Sequence, residues 1–166
     1  MDQLTEKLLG LLRQKIALYG ELAAVFEQEK GCIVSSDVAS LWALSGRKQA
    51  LADDLGKRRA ALLEALTAAG IAHGLDAARF TVTELLAALP TDGSRALRPL
   101  AVQLLNLKDR LGALAAHNRR LIEDGLAMVA DLIGVMVNAD RADSGYGRRQ
   151  PAGGCTKRTL FLHQEV

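Results

Sequence analysis

From Leu97 onward, residues fall on one helical seam at alternating spacings of three and four: Leu97, Leu100, Leu104, Leu107, Leu111, Leu114, Asn118, Leu121, Gly125, Met128, Leu132, Val135 and Ala139. That pattern keeps one line of side chains on one face of an α-helix for roughly eleven turns, about 60 Å at 1.5 Å per residue. A helix of that length does not wrap a compact pocket. It packs lengthwise against other helices, and it can offer a groove to a visiting one. The chain reads as a scaffold for recognition before it reads as a catalyst.

The rest of the chain supplies the packing partners. A first helix is expected over about residues 2–30, with Leu4, Leu8, Leu11, Leu18, Leu22 and Val25 on one seam. Leu9, Leu12, Ile16, Tyr19, Ala23 and Phe26 make a second seam beside it. Two adjacent seams imply more than one neighbouring helix. Lys15 and Glu29 interrupt the first of these seams. Gly31 offers a stop, and Ser35 or Ser36 a cap for the next helix. That second helix is expected over about 37–69, its seam running Val38, Leu41, Leu44, Lys48, Leu51, Leu55, Leu62 and Leu66, with Arg58 or Arg59 near the missing step. A connection of about six residues makes these two helices an antiparallel hairpin. Gly70 then ends the second helix as a residue with positive φ.

Thr81-Val82-Thr83-Glu84 reads as a capping box, with Phe80 and Leu85 placed for a hydrophobic staple, so a short helix is expected over 81–89. Pro90 to Ser94 read as a turn into the final helix, expected over 95–140. Pro99 falls either in that helix's first turn or at a kink. Beyond Asp140 the glycines and Pro151 break any helix, leaving residues 141–166 as a flexible Gly-rich tail with one apolar tip, Leu160-Phe161-Leu162. The expected fold is all-α. A long antiparallel hairpin, a short connector helix and a third long helix form a coiled-coil-like bundle over 1–140.

Composition narrows the function. Hydrophobic residues make up 49% of the chain and aromatics only 4%, the balance of a Leu/Ala-rich bundle. Twenty-one basic and 19 acidic side chains nearly cancel, which leaves no concentrated basic face for nucleic acid. The start lacks a basic segment followed by an apolar core, and no stretch approaches the ~18 apolar residues of a membrane span. Cys32, read as lying in a loop, and Cys155 in the tail form no metal-binding spacing; with no export signal, they point to the cytoplasm.

Catalytic readings find little support. His73, His117 and His163 recur in no motif, and His117 lacks the lysine and glycine that follow a phosphate-accepting histidine in a phosphotransfer domain. Cations within the seams, Lys15, Lys48, Arg58 and Arg59, suggest an anion pocket in a small helical enzyme, with an anion bridging Lys48 and Arg58 or Arg59. The plainer reading pairs them with Glu21, Glu29 or Asp54, and a hairpin turning near residues 33 and 34 puts Lys48 opposite Tyr19 and Glu21. Asn118 is a polar step in a leucine seam, a residue type that fixes helix register. No catalytic residue, metal ligand or cofactor is assigned.

The segment His117-Asn118-Arg119-Arg120-Leu121-Ile122-Glu123-Asp124-Gly125-Leu126, followed after the helix by Tyr146-Gly147, resembles the flagellar export chaperones of the FlgN type. The hairpin resembles them too, with acidic Glu27 and Glu29 closing the first helix, Lys48 mid-seam and the Arg58-Arg59 pair in the second. Two features depart from the pattern: Arg148-Arg149-Gln150-Pro151 follows Tyr146-Gly147 without a further early glycine, and the connector from Gly70 to Pro99 is long. The resemblance implies a cytosolic chaperone of flagellar type III secretion that uses no ATP. Its clients would be hook-associated proteins, held by their C-terminal helices and delivered to the cytosolic domain of the export gate. Tyr146 and Gly147 would contact that gate. Ile122, Leu126, Met128, Val129, Ile133, Met136 and Val137 widen the apolar face of the final helix; either a client helix lies along them or the protein's own hairpin covers them. A coiled-coil adaptor unrelated to flagella is the competing reading. Monomer and homodimer both remain open.

Overall fold

The computed structural model describes residues 3–71 and 80–143, with side chains to residue 139. Four helices follow in order: α1 (Gln3–Val34), α2 (Val38–Ala68), α3 (Val82–Ala88) and α4 (Thr91–Asp143). The fold is all-α, an antiparallel hairpin joined by a connector helix and a third long helix.

Leucines set the directions of the helices. Leu8 and Leu12 of α1 share one cluster with Leu62, Ala65 and Leu66 of α2. Leu22 and Val25 share a second with Leu51. Early residues of α1 therefore meet late residues of α2, and the two run antiparallel. Leu97 and Leu104 of α4 join the first cluster, and Leu111 packs on the second. Positions advance together along α1 and α4, so these two are parallel. Gly93 is buried in the first turn of α4, where a Cβ would come within 3.2 Å of the Thr5 Oγ1.

Local chemistry explains the ends. α1 does not stop at Gly31. It continues through Cys32, which is a half-buried free thiol in the helix and not in a loop. An apolar run, Cys32-Ile33-Val34, follows Gly31 and keeps the helix going. The chain turns at Ser35 and Ser36, the latter with φ 56°. The cap of α2 is Asp37 and neither serine, because its carboxylate reaches forward to accept from the Ser40 N–H at 3.1 Å. At the other end of α2, Gly70 has φ +69°, its N–H donates to Thr67 O, and the Ile71 N–H donates to Leu66 O. That is a Schellman closure, with Ile71 folded onto the leucine cluster.

Thr81 and Glu84 form the reciprocal capping box, and Leu85 is fully buried beneath half-buried Phe80. α4 begins at Thr91, four residues before the expected start. Pro90 to Ser94 are not a separate turn: Ser94 N–H already donates to Pro90 O at 2.9 Å. Pro99 therefore stands inside the helix, where it withholds one backbone donor.

The chain divides into two compact units, Met1–Leu126 and Ala127–Val166. The first holds every described buried residue, the last of them being Asn118. The bundle expected over 1–140 is longer than this unit. In the second unit residues 127–143 are helical, and all described side chains there, 127–139, are exposed. The tail expected over 141–166 lies outside the described residues apart from its helical start at 141–143.

Candidate functional site

The final helix changes character after Leu121. Up to that point its seam is buried or half-buried; from Ile122 to Ala139 every side chain is exposed. The register explains where cover ends. Asn118 lies level with Glu29, so Val34, the last residue of α1, is level with about Glu123. In the first unit Ile122 is 43% exposed and Leu126 65%. In the second, Met128, Val129, Leu132, Ile133, Val135, Met136 and Val137 are 47–70% exposed. All seven residues expected to contact a client are thus exposed, two in the first unit and five in the second. Sequence spacing assigns Met128, Leu132 and Val135 to an internal seam. They are as open as their neighbours, and so Leu132 and Val135 make the apolar surface broader than expected.

Just before that surface lies a polar cluster. Asn118, 2% exposed, donates from Nδ2 to Phe26 O at 2.8 Å and to Glu29 Oε2 at 3.0 Å. Glu29 in turn ion-pairs with Lys48 through its other carboxylate oxygen. Lys48 Nζ also stands 4.9 Å from the centroid of the Phe26 ring. The partner of Lys48 is therefore Glu29, and not Glu21 or Asp54; Asp54 pairs with Lys57 at 2.8 Å. The hairpin turns about three residues later than expected, which brings Phe26 opposite Lys48 in place of Tyr19 and Glu21. Asn118 Oδ1 is buried with no hydrogen-bond partner among the described residues, beside a shallow cavity of about 300 Å³ that Ile122 and Glu123 also line.

The anion pocket expected at Lys48 and Arg58 or Arg59 is not formed. Lys48 and Arg59 share a face of α2 but stand about 16 Å apart along its axis. Lys48 is committed to Glu29, and Arg58 is exposed. Arg59 faces instead a cavity shared with Lys15 and Lys108. His117 is exposed on α4. Among the described residues, no three His, Cys, Asp or Glu side chains gather as metal ligands. No described helix is long and apolar enough to cross a membrane. Tyr146 and Gly147, Cys155 and His163 lie outside the described residues.

Periodicity gives no warning of a second exposed group at the hairpin turn. Val34, Val38 and Trp42 are 72%, 60% and 76% exposed there, with Val38 and Trp42 one helical turn apart on α2. Spacing places Val38 on the seam of the second helix, yet it is open to solvent. Trp42, the one tryptophan of the sequence, lies off that seam and carries no periodic signal.

No curated protein and no solved structure matches this chain. The family model described as FlgN protein matches residues 1–152, which takes in all four helices and both of their compact groupings as far as the described residues extend. The chain belongs to the FlgN family of flagellar chaperones.

Proposed function

We propose that this protein is a cytoplasmic export chaperone that holds the C-terminal helical regions of hook-associated proteins, keeps them from aggregating, and delivers them to the cytosolic domain of the flagellar export gate. One observation carries the reading: a FlgN-family chain whose last described helical stretch exposes Met128, Val129, Leu132, Ile133, Val135, Met136 and Val137 together. Single exposed apolar residues are ordinary, but a contiguous run is a mark of an interaction surface. A client's amphipathic helix offers the matching stripe. The two methionines, unbranched and polarizable, adapt to more than one client. Tyr146 and Gly147 contact the gate, and Asn118 sets the register of α4 on the hairpin. The protein works without catalysis or cofactor.

The test is direct. A C-terminal fragment of a hook-associated protein is titrated against the full chain and against a Val129→Asp, Ile133→Asp double variant. Burying two carboxylates in an apolar interface weakens capture by at least about a hundredfold. Helicity by circular dichroism stays unchanged, because neither residue packs on the fold. Unchanged affinity in the variant, or no capture at micromolar concentration by the parent, sinks the reading. Sedimentation of the client-free chain decides whether a second copy occupies the same face. Tyr146→Ala leaves capture intact and lowers secretion of the client into the medium; equal loss of both would place Tyr146 in the client site instead.

A further inference from the structure

Four helices of the first unit converge on a cavity of about 300 Å³ walled by Lys15 and Tyr19 of α1, Arg59 of α2 and Lys108 of α4, with Phe80 and Val82 at its α3 side. Three of its walls are cationic. None of the described residues lining it is acidic.

The arrangement of Arg59 is the informative part. Its guanidinium carbon sits 5.2 Å from the centroid of the Phe80 ring, a cation–π contact that holds the planar group in place. Its Nε and Nη2 atoms are buried, yet neither meets a hydrogen-bond acceptor among the described residues. Buried guanidinium donors are ordinarily satisfied, and two left open on one side chain ask for an acceptor. Lys15 adds to the imbalance: burial, and then the charges of Lys108 and Arg59, hold its pKa below the usual lysine value. Burial pushes the Tyr19 phenol up, although the Arg59 charge opposes this, so the hydroxyl stays protonated and able to donate.

We propose that this cavity binds a compact dianion of the phosphate class, either free inorganic phosphate or a small phosphomonoester. The planar guanidinium fork suits tetrahedral phosphate oxygens, and two lysines complete the charge. A carboxylate would offset one of three positive charges, whereas a phosphate dianion offsets two. The volume stands at the lower end of ligand pockets, too small for a nucleotide and ample for a phosphate with a short apolar or aromatic group. Leu12, Leu62 and Phe80 provide an apolar wall for such a group. The site belongs to the first unit and does not depend on client capture.

Calorimetric titration of the full chain tests it, using sodium phosphate, phenyl phosphate and sodium acetate at constant ionic strength and pH 8. The expected result is saturable one-site binding of phosphate, weakened at least about tenfold by Arg59→Gln and by Lys108→Gln. Lys57→Gln, at an exposed lysine outside the cavity, leaves it unchanged. Lys108 is exposed on α4, so its variant folds even if the Arg59 change perturbs the hairpin. Tighter binding of phenyl phosphate identifies a monoester with its apolar part on Phe80, and equal binding identifies free phosphate. Acetate binding as well as phosphate, no saturable heat, or indifference to both cavity variants overturns the proposal.

Discussion

Asn118, Glu29 and Lys48 each break a different leucine seam, and the fold assembles the three breaks into one cluster. Each interruption is visible in the sequence, but their meeting is not. It depends on where the hairpin turns, and a shift of three residues moves the level opposite Lys48 from Tyr19 to Phe26. A double-mutant cycle of Glu29→Gln and Lys48→Met should return a coupling of about 1–2 kcal/mol by chemical denaturation, below a fully buried pair because the Lys48 side chain keeps 26% of its exposure. Asn118→Ala should cost about 1–3 kcal/mol, since it strips a donor from buried Glu29 and from Phe26 O. Lys15 makes a prediction of the opposite kind. Its pKa in the fold lies below the 10.5 of the unfolded chain, so between those values the unfolded state binds more protons. Stability contributed at this position is therefore lowest below the folded pKa and rises with pH towards 10.5. In phosphate-free buffer, Lys15→Met should be more stable than the parent at neutral pH, and the difference should narrow as pH climbs through that window.

Among the elements, two glycines show what local sequence does and does not decide. Gly70 reads as a helix end and is one, with φ +69° and Ile71 folding back onto the leucines. Gly31 reads the same way and is helical. Glycine permits a stop; the residues after it determine whether one occurs, and an apolar run continues where a single isoleucine tucks back. Substitution separates the two cases. Gly70→Ala should destabilise by about 1–2 kcal/mol, the cost of a Cβ in left-handed backbone. Gly31→Ala, with nothing within 4 Å of the added carbon, should stabilise by about 0.5–1 kcal/mol. Thermal melting of the two variants should therefore move in opposite directions. The capping box at Thr81 is legible because its partners lie three residues apart. The early start of α4 is not, since Thr91-Asp92-Gly93-Ser94 has the composition of a turn, yet the segment is helical, with Gly93 buried close to Thr5.

For the whole molecule, the decisive quantity is a difference in length. α4 has 53 residues, whereas α1 and α2 have 32 and 31. The leucine period gives the positions of the apolar face correctly as a pattern. It carries no sign that burial ends near Leu121, because the spacing beyond is the same. Which residues share the apolar face can be read from the helix itself, but their exposure depends on the neighbours. Ending the chain after Leu126 should leave the melting temperature of the first unit within a few degrees of the parent, because every described buried residue is retained, while client capture is lost. A large fall in melting temperature would show that later residues support the core. Trp42 carries a practical corollary. As the chain's one indole, already in water at the hairpin turn, its fluorescence should stay nearly silent while the leucine core melts; a blue shift on mixing with another protein would then report docking at that tip.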